Sequence, residues 1–293
     1  MSWWSVRFEV PAALADAAAW LLAEELDVPV EVRDGSTMVR HGDQETCAVV
    51  VGLPQAPPAD IDRQIAGCLA RLGLPPAAVA TRRSEDESWK DGWKAFFRGA
   101  PLSARIAVHP PWEAPPPRPV AVVIDPGLAF GTGTHETTRG VMALLDDWLA
   151  DRPPLELLDV GCGSGILSIA AAGLGHRAIG VEIDDVALHN ARENVARNRV
   201  GDRVVLHHGS ADHPALAERR FPLVVANILA VILIDIAPAI AARCAPGGAL
   251  ILSGMLVDQV DRVKAAYPGF TAEEQRTEGP WVILRLRAPE AGR

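Results

Sequence analysis

Three groups of residues in this 293-residue chain have the types and spacing to do chemistry. The first is Leu157-Leu158-Asp159-Val160-Gly161-Cys162-Gly163-Ser164-Gly165, followed by Glu182. It reads as an apolar strand running into a glycine turn, with a carboxylate 21 residues after Gly161 at the end of the next apolar strand. Gly161 and Gly163 let the backbone turn tightly and approach a ligand, and Gly165 opens close packing at the start of the following helix. A carboxylate so placed can accept hydrogen bonds from both hydroxyls of a ribose. A dinucleotide fingerprint counted from Gly161 needs its third glycine at 166, where Ile166 stands; counted from Gly163 it needs one at 168, where Ser168 stands. An adenosine cofactor without a pyrophosphate therefore suits the turn better than NAD, and S-adenosylmethionine is the candidate. An unliganded tight turn in an α/β core is the plainer alternative.

The second group is Asp125-Pro126-Gly127-Leu128-Ala129-Phe130-Gly131-Thr132-Gly133-Thr134-His135-Glu136-Thr137-Thr138. Its glycines expose backbone donors and its threonines can cap a helix beginning near 137, so it reads as a ligand loop or at least an ordered cap. It lacks the Gly-Lys-Ser/Thr ending of a phosphate loop. His135 stands alone, without a metal partner in the sequence, and a direct chemical role for it is the minority reading. The third group is Val224-Val225-Ala226-Asn227-Ile228-Leu229-Ala230, an apolar strand ending in an amide. The carbonyl oxygen of Asn227 can accept a hydrogen bond from an amine and aim its lone pair, or the amide can simply satisfy its own loop.

These residues need a scaffold, and the chain divides by texture. Residues 2–10, 28–33, 46–52 and 77–83 read as strands, with helices at 12–25 and 59–72, a βαββαβ order that predicts a small ferredoxin-like α+β domain over 1–84. Residues 85–120 read as an aromatic and Pro-rich linker, with Trp89, Trp93, Phe96 and Phe97 spaced to line one helical face. From 121 to 293, strands at 121–124, 155–160, 177–182, 203–207, 222–227, 248–253 and 281–287 are interleaved with helices near 137–150, 165–174, 185–198, 229–243 and 255–266. Six of these strands alternate with helices in the way a doubly wound, Rossmann-like α/β sheet requires. In such a sheet the carboxyl ends of the strands carry the ligand crevice, which is where Gly161, Glu182 and Asn227 fall.

Composition narrows the function classes. A formal net charge of -9 argues against broad nucleic-acid binding. Cys47, Cys68, Cys162 and Cys244 have no paired spacing, so neither a disulfide framework nor a thiolate metal site is expected. The first amphipathic stretch carries Glu9 and Asp16 and no basic segment leading into an apolar block, which predicts a cytoplasmic protein without a signal peptide. The apolar run 223–242 contains Asn227, Asp235 and Pro238 and reads as a strand plus helix rather than a membrane span.

Together the three groups make the chain similar to the bacterial ribosomal protein L-eleven methyltransferases, class I S-adenosylmethionine-dependent enzymes. The resemblance covers nearly the whole chain. It is narrowest at Asp125 through Thr138, and extends to Asp159–Gly165, Asn227-Ile228-Leu229-Ala230 and the linker run Trp89-Lys90-Asp91-Gly92-Trp93-Lys94-Ala95-Phe96-Phe97. It implies cofactor contacts at Thr138, Gly161, Glu182 and Asn227, with Gly163 in the same turn, and a catalytic part for Asn227. The family often has aspartate where this chain has Glu182, a departure that keeps the charge and lengthens the arm. The implied reaction is methyl transfer to lysine side chains and the N-terminal amine of the ribosomal protein, by a monomer that needs no metal. Lysine methylation of another protein is the alternative; a ribosomal-protein-binding module without catalysis and a nicotinamide oxidoreductase are weaker ones.

Overall fold

The computed structural model describes residues 3–26, 28, 30–33, 46–53, 55–84, 98–125 and 135–291. The chain forms two compact units, Met1–Trp93 and Lys94–Arg293. The expected aromatic seam at 89–97 and residues 126–134 of the second group lie outside the described residues.

The first unit runs β1 (Trp3–Pro11), α1 (Ala15–Leu26), β2 (Val30–Arg33), β3 (Thr46–Leu53), α2 (Ile61–Arg71) and β4 (Ala80–Ser84). Its sheet has the order β2-β3-β1-β4 with every neighbouring pair antiparallel, the βαββαβ connectivity expected from the sequence. Period-two alternation explains β1: Val6, Phe8 and Val10 are buried while Arg7 and Glu9 are exposed and face each other as an ion pair at 3.8 Å. Val6 and Phe8 stand opposite Val51 and Val49 of β3. In α2, Ile61, Ile65, Cys68 and Leu69 recur at helical spacing and are the residues it buries.

The second unit opens with a three-stranded sheet, β5 (Ala100–Pro101), β6 (Ile106–His109) and β7 (Val120–Val123). It continues with α3 (Glu136–Leu149), β8 (Glu156–Val160), α4 (Ile166–Gly173), β9 (Arg177–Glu182), α5 (Asp185–Arg197) and β10 (Val204–His208). Then come β11 (Phe221–Asn227), α6 (Ala230–Asp235), α7 (Ala237–Arg243), β12 (Cys244–Leu256), α8 (Val260–Ala265), β13 (Thr271–Glu278) and β14 (Trp281–Arg287). The main sheet has the order β10-β9-β8-β11-β12-β14-β13. Its first five strands are parallel, β14 is antiparallel to β12, and β13 is antiparallel to β14. The chain leaves β8 for β9 on one side and later returns to lay β11 on the other, so the topological switch point falls between β8 and β11.

Helices cover both faces, which is why Leu223 through Ala226 and Ala249 through Leu252 are buried without alternation. Leu157, Val225, Ile251 and Ile283 form one core with α3 and α4; Leu158, Val224, Leu250 and Leu284 form the other with α6, α7 and α8.

Four sequence expectations need correction. The strand expected at 121–124 does not join the doubly wound sheet: β7 pairs in parallel with β6 instead. Residues 98–119, read as linker, carry β5 and β6, and Leu102, Ile106 and Val108 enter the same core as α3. The single helix expected at 229–243 is broken at Ile236, with Pro238 inside the first turn of the second half, where its missing N–H costs nothing. Strand β13 was not expected because Thr-Ala-Glu-Glu-Gln-Arg-Thr-Glu has no apolar face; it is an edge strand, with Glu273 and Glu274 paired to Arg285 of β14.

A row of asparagines on α5 and at its C-cap bonds the end of β7 on the edge that β6 does not pair. The Asn198 amide accepts from the Val123 N–H at 2.9 Å and donates to the Val123 carbonyl at 2.6 Å. Asn194, fully buried, accepts from the Asp125 N–H at 3.0 Å and donates to the Ser164 carbonyl of the glycine turn at 3.1 Å. Asn190 donates to the Asp125 carbonyl at 3.4 Å.

Candidate active site

Register places the sequence candidates side by side. Val160 is aligned with Val181 on β9 and with Ala226 on β11, so the next residues, Gly161, Glu182 and Asn227, come together at the carboxyl edge beside the switch point. The turn that follows β8 depends on left-handed backbone at Gly161 (φ +69°), Gly163 (φ +52°) and Gly165 (φ +78°), the last of which starts α4. A Cβ at Gly161 would sit 2.4 Å from Cγ2 of Ile228, the residue after Asn227. Gly161→Ala therefore combines backbone strain with overlap and is expected to cost about 2–4 kcal/mol of unfolding free energy. Urea titration of the variant checks this; a midpoint equal to the parent's would mean the turn relaxes freely.

Glu182 does more than the sequence reading assigned to it. Its Oε2 accepts from the Gly163 N–H at 2.8 Å, and its Oε1 accepts from the N–H groups of Ile183 and Asp184 at 2.8 and 3.1 Å. The carboxylate thus ties the glycine turn to the end of β9, and three of its roughly four lone-pair sites are taken. What remains can still accept from a ligand hydroxyl. Beside it, Ile183 is 66% exposed and Val186 half-exposed, an apolar rim that suits a flat ring and that the sequence reading missed. The available signal was an isoleucine directly after the strand-end carboxylate.

On the other side of the turn, the Nδ2 of Asn227 donates to Oγ1 of Thr137 at 3.3 Å, and that hydroxyl lies 2.8 Å from Nδ1 of His135. The same Nδ1 accepts from the Thr137 N–H at 3.2 Å, making His135 the N-cap of α3. Burial, helped by the positive charge of Arg139, pushes the imidazole down to about 4, so it is neutral and Nδ1 carries a lone pair. The chain of donors then has one direction: Asn227 amide to Thr137 hydroxyl to His135 Nδ1. His135 is a cap and an orienting acceptor.

This direction leaves Oδ1 of Asn227 buried and without a hydrogen-bond partner among the described residues, and the same holds for Oγ1 of Thr138 and Oδ1 of Asp159. Orphaned polar atoms are costly in a protein interior, and three at one sheet edge fit a polar ligand that supplies the missing partners. Among the described residues no cluster of three His, Cys, Asp or Glu could hold a metal ion, and no helix is long and apolar enough to cross a membrane.

The whole chain has relatives. It is 35% identical over 307 residues to the ribosomal protein L11 methyltransferase of Pelobacter propionicus, spanning 97% of each chain. With the protein of the same name from Desulforapulum autotrophicum it is 42% identical over 212 residues, 70% of this chain and 69% of that one. A solved structure of ribosomal protein L11 methylase from Lactobacillus delbrueckii subsp. bulgaricus superposes with a TM-score of 0.60 at 34% identity, covering 66% of this chain and 100% of that one. The model of the ribosomal protein L11 methyltransferase (PrmA) family matches residues 2–289, and the chain belongs to that family.

Proposed function

We propose that this protein transfers methyl groups from S-adenosylmethionine to lysine side chains and the N-terminal amine of ribosomal protein L11. The observation that carries the reading is the orphaned, oriented Oδ1 of Asn227 set beside the turn that Glu182 closes. Glu182 and the Gly161–Gly163 backbone would hold the ribose side of the donor, Thr138 would hydrogen-bond it with its unpartnered hydroxyl, and Ile183 would cover an apolar ring face. When bound, the donor supplies a methyl group already activated on a sulfonium. Asn227 would accept a hydrogen bond from the acceptor amine through Oδ1 and aim the nitrogen lone pair along the line of displacement.

The amine must arrive neutral. For a lysine of ordinary pKa, about 10.4, deprotonation at pH 7 costs roughly 4.6 kcal/mol; for an α-amine near 7.8 it costs about 1 kcal/mol. Asn227 accepts a hydrogen bond from an amine and, more strongly, from an ammonium, so it orients the nitrogen without favouring the neutral nucleophile. Selection falls to the surrounding apolar surface, which disfavours the cation.

The test is labelled donor with purified ribosomal protein L11 and with a mixture of other ribosomal proteins, sites being read by mass spectrometry. Label confined to other proteins would favour the alternative of a lysine methyltransferase with a different target. We further propose a cytoplasmic monomer in which residues 1–84 form a ferredoxin-like unit that docks the substrate protein. A chain beginning near residue 85 should then bind S-adenosylhomocysteine within about threefold of the full chain, yet lose at least tenfold in kcat/KM on intact L11, because docking raises the local concentration of its lysines. Circular dichroism must show that the shortened chain folds. Equal kcat/KM values would place recognition in the second unit.

A further inference from the structure

Asp159 is buried one residue before the end of β8, and the proposed transfer makes no use of it. Its Oδ2 accepts from the N–H and the hydroxyl of Ser168 at 3.2 and 2.7 Å, which anchors the first turn of α4. Its Oδ1 has no partner among the described residues. The positions aligned with it are Gly180 on β9 and Val225 on β11, neither of which can carry charge.

The titratable groups that act on this carboxyl are few. From the end of β9 comes Glu182, a like charge; from the turn comes the Cys162 thiol, which burial pushes up and keeps neutral. Packed from α4 is Ser168, and from β11 only Val225 and, at the strand end, Asn227. Among the described residues no cationic side chain is one of the groups that act on it. Burial raises Asp159 to about 7 against the pull of the two Ser168 hydrogen bonds. A half-satisfied carboxyl beside a second carboxylate, with no counter-charge, lacks one thing: a positive charge.

The proposed ligand differs from its own product by that charge. This inference rests on the donor reading above. S-adenosylmethionine carries a sulfonium that S-adenosylhomocysteine has lost, so the donor is the more cationic of the two. We propose that Asp159 senses this difference: it gives its proton to solvent when the cationic donor binds and takes one back when the uncharged thioether product occupies the site. Asp159 touches neither reacting atom in this reading and acts as a positioning residue for charge. The ionised form attracts the donor, so donor occupancy lowers the carboxyl's pKa and releases a proton. Donor affinity therefore rises with pH up to about neutrality, whereas product affinity stays flat. The site favours the exchange of spent product for fresh donor.

Calorimetric titration of the full chain at pH 7 in two buffers of different ionisation enthalpy tests this, because the difference in apparent heat counts protons. The expected result is release of about half a proton per donor bound, from a carboxyl near half-protonation, and none for S-adenosylhomocysteine. Between pH 6 and 7 the donor Kd should fall severalfold and the product Kd should not change. In Asp159→Asn the proton release and the pH dependence should both disappear, with the Kd ratio of donor to product fixed. Equal proton counts for donor and product in the parent protein overturn the proposal without recourse to any variant. Release that persists in a folded Asp159→Asn overturns it as well and moves the titrating group elsewhere. Absence of binding by both ligands would instead refute the donor reading on which it stands.

Discussion

Single-turnover methyl transfer by Asn227→Ala, at saturating donor and acceptor, is expected to run about a hundredfold slower than in the parent protein. The figure is what a displacement of about 1 Å costs a reaction that depends on alignment. Alanine removes a group whose free lone pair is fixed in direction by the Thr137 and His135 hydrogen bonds. The deficit should appear in the chemical step more than in donor affinity, since Gly163 and Glu182 remain bound to each other. A parent-like single-turnover rate would remove Asn227 from the catalytic assignment.

Glu182→Ala should raise the Kd for S-adenosylhomocysteine by two orders of magnitude or more. The variant loses a charge-assisted acceptor for the ribose, worth about 1.5–3 kcal/mol, and also frees the Gly163, Ile183 and Asp184 N–H groups that now converge on it. Because the second loss loosens the turn itself, a drop of about 1–3 kcal/mol in unfolding free energy should accompany the affinity change. Titration calorimetry and urea denaturation read the two effects separately. An unchanged Kd in a folded variant would rule out the ribose contact.

The placement of the candidate residues was legible in the sequence wherever it depends on backbone geometry and strand ends. Gly161, Gly163, Glu182 and Asn227 could be placed together because a parallel sheet puts the ends of successive strands at one edge, and the register bears this out. Side-chain wiring was not legible. That Thr137 and not Thr138 takes the Asn227 amide depends on helical phase at the start of α3, and a boundary error of one residue reverses the choice. The same limit applies to His135, whose capping role is set by a β-region φ,ψ that no motif announces. In the fold, β13 was hidden because an edge strand held by charged pairs has no hydrophobic period. The strand at β7 could be seen but not assigned, since four apolar residues carry no information on which sheet they join.

The asparagine row on α5 has a geometric limit built into it. Residues four apart on a helix advance about 6.0 Å, while residues two apart on a strand advance about 6.6 Å, so a helix can serve as a template for an extended backbone only while the two rulers stay in step. The mismatch accumulates by roughly 0.6 Å per rung. Asn198 and Asn194 keep that step, meeting Val123 and Asp125 two residues apart, whereas Asn190 does not advance and reaches back to the Asp125 carbonyl at 3.4 Å. Helix and extended chain therefore share two rungs, and the third asparagine reinforces the second instead of extending the ladder.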